Sequence, residues 1–232
     1  MKTLHLLCAG AAKGLVQGLQ REFAASHEAT IEANFGAVGA MREKLLAGVP
    51  CDLIVLSEKI IDELAGQKRV DAASRAALGR VDTGIAVPEI DQKPDIADAE
   101  ALRRALSRAR GIYLPDPERA TAGIHFANVL RQLGILDQVR PRLRPYPNGA
   151  TAMRAMADAG EPDLIGCTQI SEILYTSGVA LVGALPSEFA LSTVYSAAVC
   201  RDAAEPALAR AFAKVLAGPE SVAMRRAGGF VV

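Results

Sequence analysis

The sequence predicts an α/β protein built on mostly parallel sheets flanked by helices. Three observations carry that prediction. Leu53-Ile54-Val55-Leu56 is a run of four apolar residues without alternation, the pattern of a strand buried on both faces. Apolar residues at helical spacing follow such runs repeatedly, so short strands alternate with amphipathic helices. Small, glycine-rich turns sit where strand gives way to helix, as in Gly36-Ala37-Val38-Gly39.

Thr3 to Ala9 is the first strand, followed by Gly10-Ala11-Ala12-Lys13-Gly14 and a helix with Leu15, Leu19 and Phe23 on one face. Thr30 to Phe35 is the second strand, and Met41, Leu45 and Leu46 mark a helix that Gly48 and Pro50 stop. After the 53–56 strand, Ser57 is placed to cap a helix containing Ile60, Ile61 and Leu64. Arg80 to Pro88 is a strand, Glu89 to Asp98 a loop, and Leu102 and Leu106 mark the next helix.

Gly111 to Leu114 is a short strand ending at Pro115-Asp116-Pro117-Glu118-Arg119-Ala120-Thr121, with Thr121 the expected cap of a helix bearing Phe126, Ala127, Leu130 and Leu133. Gln138 to Pro147 reads as a basic, proline-rich connector. Asn148 is the expected cap of a helix with Met153, Met156 and Ala157. Leu164 to Cys167 is a strand that opens at Thr168-Gln169 into a helix from Ser171 to Tyr175. Val179 to Leu185 is another strand, Phe189 to Cys200 is extended, and Leu208, Phe212, Val215 and Leu216 face inward from the last long helix.

Composition excludes several function classes. The 232 residues are 50% hydrophobic and 22% charged, with mean hydropathy +0.19, enough for a large core. Lys and Arg (26) balance Asp and Glu (26), so nothing points to nucleic acid or to a polybasic membrane patch. No apolar run approaches the roughly 18 residues of a membrane span. Cys8, Cys51, Cys167 and Cys200 have no metal-like spacing and read as small buried thiols, and His5, His27 and His125 are scattered. No cofactor and no metal is expected, and neither is a Walker A, GxSxG, HExxH or GxGxxG motif present. The apolar part of the first fifteen residues is too short for an export signal, so the chain as written reads as cytoplasmic, and as periplasmic if a signal has been removed. A monomer is expected.

The strand-to-helix turns carry the chemistry. Each brings unpaired backbone N–H groups and the positive end of a helix dipole to a strand end, where anions bind. The plain alternative is that Gly36 and Gly39 only let the chain turn tightly.

FGAVGAMREKLLAGVPCDLIVLSEKIIDEL, GIYLPDPERATAGIHFANVLRQLGILDQVRPRL and the C-terminal GPESVAMRRAGGF together resemble the molybdate-binding protein family of ABC importers. The resemblance implies a type II periplasmic-binding-protein fold: two α/β lobes, each a mostly parallel sheet flanked by helices, joined by two crossing strands with a ligand clamped between. Lobe one would be residues 1–82 and 195–232, and lobe two 83–194. An ABC permease is the implied partner if the protein is exported.

In that family two serine hydroxyls, backbone N–H groups of the second lobe and a tyrosine hydroxyl hold the oxyanion. The resemblance puts those positions at Ala11, Val38, the neighbourhoods of Ala122 and Gly149, and Thr168. Both serines and the tyrosine are replaced, and an uncompensated lost hydrogen bond to a charged group costs roughly 1.5 to 3 kcal/mol. Ala11 and Val38 instead offer an apolar wall suited to a carbon skeleton, and Ala12, Ala37 and Gly39 are the further ligand-binding positions of the same two loops. Lys13 and Arg119 put a cation in the first and third loops, where arginine suits a carboxylate. Thr121, Asn148, Thr151, Thr168 and Gln169 add directional donors and acceptors; Thr121 and Asn148 also read simply as caps.

Three functions follow. The leading expectation is a solute-binding protein for a small organic anion, a di- or tricarboxylate. The second is a cofactor-free isomerase of an unsaturated polycarboxylate, resembling aconitate isomerase, with Lys13 as base. The third keeps the family's molybdate or tungstate as ligand. An intracellular sensor or chaperone on the same scaffold shares all these residues.

Overall fold

The computed structural model describes residues 2–232. In chain order it holds β1 (Lys2–Ala9), a 3₁₀ turn (Gly10–Ala12), α1 (Lys13–Ser26), β2 (Ala29–Gly36), α2 (Val38–Leu46), β3 (Leu53–Ser57) and α3 (Glu58–Gly66). Then come β4 (Ala76–Pro88), α4 (Ala99–Arg108), β5 (Gly111–Pro115), α5 (Thr121–Gln132), α6 (Leu136–Val139), β6 (Leu143–Tyr146) and α7 (Gly149–Ala157). The chain continues through β7 (Leu164–Gln169), α8 (Ile170–Tyr175), β8 (Val179–Ala184), β9 (Ser192–Val199), α9 (Pro206–Ala217) and α10 (Val222–Ala227). It divides into two compact units: the first runs to Val81 and resumes at Thr193–Val232, the second is Asp82–Ser192. The sequence reading has its boundaries at 82 and 195.

In the first unit the strands lie in the order β2-β1-β3-β9. β1 pairs in parallel with β2 from Lys2↔Ala29 to Ala9↔Gly36 and with β3 from Leu6↔Leu53 to Cys8↔Val55, while β9 runs antiparallel to β3. All of Leu53–Ser57 is buried, as the unbroken apolar run requires. Phe23 of α1 packs on Phe212 of α9, ring centroids 4.7 Å apart. Asp52, 1% exposed, accepts the N–H of His5 at 2.7 Å and that of Glu205 at 3.0 Å, so one carboxylate ties the start of β3 to β1 and α9. Each N–H would otherwise be left without a partner near the core.

In the second unit β6, β5 and β7 are parallel neighbours, with Pro115↔Tyr146 and Tyr113↔Gly166 among the pairs. β4 runs antiparallel to β7 and to β8. The strands alternate between two cores. Ile85 and Val87, Ile112 and Leu114, Ile165 and Cys167 belong to one apolar cluster, with Phe126, Leu130, Leu102 and Leu106 from α5 and α4. Ala86, Tyr113 and Leu164 belong to the other, with Met153 and Met156 of α7. A period of two that is apolar on both sides is the mark of a sheet covered by helices on both faces.

Two expectations change in the second unit. The segment 138–147 is not a plain connector: it holds the second half of α6, a 3₁₀ turn (Arg140–Arg142) and the parallel strand β6. Leu-Arg-Pro-Tyr is short and charged and carries Pro145, which only an edge strand accommodates. Thr121 is the first helical residue of α5, and the capping position is Ala120, which makes no side-chain cap. Cys8, Cys167 and Cys200 are buried and all four cysteines are free thiols; burial pushes Cys8 and Cys167 up from the ordinary thiol value.

Candidate functional site

Parallel strands end on the same side of a sheet, so their following helices begin side by side. In the first unit the register Ala9↔Gly36 places the turn at Gly10–Ala12 next to the entry to α2. Ala11, Ala12, Ala37 and Val38 are buried there, and Gly39 is half-buried. Neither α1 nor α2 has a side-chain cap. Gly36 is a spatial requirement, since a Cβ on it would come within 2.7 Å of the Met41 side chain. Lys13 opens α1 half-buried with its ammonium over the Phe35 ring, 5.8 Å from the centroid, where the ring face attracts a cation. Ser57 stands at the N-cap of α3, but its hydroxyl does not cap the helix.

In the second unit α7, α5 and α8 begin at the ends of β6, β5 and β7. The turn before α5 is held by Asp116, whose Oδ1 accepts the N–H of Glu118 at 2.8 Å and of Arg119 at 3.1 Å. Arg119 is exposed on this turn, Thr121 is half-buried and Ala122 is buried. Gly123 lets the first turn of α5 press onto β5, because a Cβ there would lie 2.2 Å from the Asp116 carbonyl oxygen. Asn148 caps α7 as its position in the sequence predicts: its Oδ1 accepts the Thr151 N–H and the Thr151 hydroxyl, both at 2.9 Å.

The residue that sequence reasoning missed is Glu172. Its side chain is buried at the first turn of α7 and accepts the Thr168 hydroxyl at 2.5 Å and the Ala150 N–H at 3.3 Å, with further backbone bonds from Gln169 and Gly149. Burial pushes this carboxyl above the ordinary glutamate value, and those four donors pull it back. Gly149 makes the approach possible, because a Cβ on it would sit 1.9 Å from Thr168 Oγ1 and 2.0 Å from Glu172 Oε2. The available signal was an acidic residue in the otherwise weakly polar stretch Thr168 to Leu174, one turn beyond Thr168. Thr168 and Gln169, at the end of β7, are 0% and 3% exposed, and Gln169 pairs with Thr83 of β4.

Thus the second unit unites Thr168 with Gly149 through Glu172, and Asn148 with Thr151 in one cap, while Arg119 and Thr121 flank the entry to α5. Tyr146 stacks on Tyr113 at 5.9 Å. Among the described residues no group of three or more His, Cys, Asp or Glu side chains is placed to hold a metal, and no helix is long and apolar enough to cross a membrane.

Helix N-termini at the ends of parallel strands, in each of two α/β units, are the arrangement of the type II periplasmic-binding-protein fold. The chain belongs to the family of bacterial extracellular solute-binding proteins, whose model matches residues 4–231. It is 26% identical over 232 residues to aconitate isomerase of Pseudomonas sp., covering 94% of this chain and 84% of that protein. It is 24% identical over 231 residues to the molybdate-binding protein ModA of Escherichia coli (strain K12), covering 99% and 89%. Among solved structures, the periplasmic molybdate-binding protein of Azotobacter vinelandii superposes with a TM-score of 0.80 at 22% identity, over 99% of each chain.

Proposed function

We propose that this solute-binding protein takes a small organic anion, a di- or tricarboxylate. The observation that carries the reading is the chemistry of the first unit's strand ends, where Ala11, Ala12, Ala37 and Val38 present buried apolar surface beside uncapped helix N-termini. A small metal oxyanion is bound by short donors converging from all sides, whereas a carboxylate on a carbon skeleton is served by a few donors beside apolar contact. Lys13, Arg119, Thr121 and the Ala122 backbone are the proposed polar contacts, and Thr168 and Gln169 lie at the end of β7. Thermal unfolding with a panel of organic acids, molybdate, tungstate and sulfate tests this. A polycarboxylate should stabilise the protein most, by about 2.7 kcal/mol at 100 times its dissociation constant. A large shift with micromolar molybdate and none with organic acids refutes it.

The similarity to aconitate isomerase supports a second reading, in which an unsaturated polycarboxylate is converted as well as bound. That chemistry needs a base within reach of an acidic C–H, and Lys13 is the proposed base. Incubation with cis- and trans-aconitate in heavy water decides between the two: exchange or isomerisation that disappears in Lys13→Ala supports the enzyme, and binding with neither rejects it. For a binder, a periplasmic location and an ABC permease partner are proposed on the ground of family membership.

A further inference from the structure

We propose that Glu172 determines specificity in the second unit: its carboxyl group closes the first turn of α7 and claims the Thr168 hydroxyl, so that turn rejects tetrahedral oxyanions and leaves the protein to organic acids. The inference rests on the anion-binding reading and narrows its ligand class.

The first turn of a nine-residue helix offers an anion its unpaired N–H groups. In α7 those of Gly149 to Ala152 are already taken. Glu172 takes the N–H groups of Gly149 and Ala150, the Asn148 side chain takes that of Thr151, and the Asn148 carbonyl takes that of Ala152 at 3.0 Å. A second anion brought to this turn finds these four N–H groups already taken. Glu172 is also hard to displace, since it is 5% exposed and anchored by the Thr168 hydroxyl and three backbone N–H groups. Four donors converge on this one carboxyl group, so moving it aside breaks four hydrogen bonds at once.

Thr168 extends the argument. A hydroxyl has one proton, and here it is given to Glu172, so toward any other group Thr168 Oγ1 offers only lone pairs. Sulfate and molybdate, which only accept, gain nothing there. Discrimination arises from donors that the protein has already engaged rather than from an added attraction.

The test compares wild type with Glu172→Gln and Glu172→Ala by titration calorimetry, using citrate and malate as organic acids and sulfate and molybdate as oxyanions. Wild type should favour an organic acid, and either variant should raise oxyanion affinity at least tenfold, shrinking the selectivity ratio. Variants that keep the native circular dichroism spectrum and the wild-type ratio overturn the proposal, as does a wild type that itself prefers molybdate. A wild type that ignores both organic acids, with a variant that gains molybdate binding, refutes the organic ligand but leaves the role of Glu172 standing. Absence of binding by all three proteins overturns both.

Discussion

The Arg225 guanidinium donates to the Leu78 carbonyl oxygen at 2.7 Å, joining α10 to β4 inside the first unit. It is 6% exposed and also donates to the carbonyls of Ala217 and Gly218, each at 2.9 Å, and to the Ser221 hydroxyl at 3.1 Å. Burial lowers its proton affinity, and three carbonyls sharing its donors compensate for the lost hydration. Arg225→Met should fill similar space while stranding those carbonyls, lowering stability by on the order of 3 kcal/mol in urea unfolding. An unchanged midpoint would mean that water satisfies them equally well.

Two glycine-to-alanine changes should act with opposite sign. Helix propensity alone favours alanine by about 1 kcal/mol. At Gly66, the last residue of α3, a Cβ meets nothing within 4 Å, so Gly66→Ala should stabilise by up to that amount. At Gly149 the Cβ would overlap both Thr168 Oγ1 and Glu172 Oε2, so Gly149→Ala should destabilise by about 1 to 3 kcal/mol despite the same propensity. Thermal unfolding of the pair checks this, and a gain at both positions would show that the Glu172 side chain moves aside without cost.

Arg119 supplies a test at the entry to α5. It is exposed on a turn that Asp116 holds through backbone bonds, so removing its side chain leaves those bonds in place. If the guanidinium meets a carboxylate, Arg119→Ala should weaken binding of the stabilising organic acid at least tenfold, about 1.4 kcal/mol, with the melting temperature of the unliganded protein unchanged. Equal affinities would return Arg119 to the role of a solvated surface residue.

How much of this was legible from sequence depends on how local each signal is. β3 could be read because Leu53-Ile54-Val55-Leu56 has no other reasonable use, and the cap at Asn148 because a cap acts over three residues. β6 could not, because its partner β5 lies some thirty positions away and its own residues, Leu-Arg-Pro-Tyr, have the composition of a loop. Thr121 misled for a related reason: threonine suits a cap, but the close approach of Gly123 to Asp116 starts the helix one residue earlier than a Thr121 cap implies. Glu172 was hidden most deeply. Its meaning comes from Gly149 and Ala150, more than twenty residues away in sequence, and from a glycine whose missing Cβ makes the room. The turns of the candidate site were therefore readable, and the group that fills one of them was not.

Glu172 also makes stability depend on pH in a stated direction. Burial holds its carboxyl above the ordinary glutamate value of 4.5, so in the interval between that value and the native one the folded chain keeps a proton that the unfolded chain has released. Native protein then binds more protons than unfolded protein, and unfolding free energy falls as pH rises through the interval. The contribution is fully present below about 4.5 and is lost as pH climbs through the folded value, with a slope of at most about 1.4 kcal/mol per pH unit. Glu172→Gln removes this titration while keeping the shape of the side chain. Urea unfolding of both proteins at a series of pH values should therefore show the advantage of wild type over the variant shrinking as pH rises from about 4.5. Parallel stability profiles would mean that the four donors around the carboxylate fully offset its burial. A difference that grows with pH would mean that they outweigh it, which would reverse the sign of the shift.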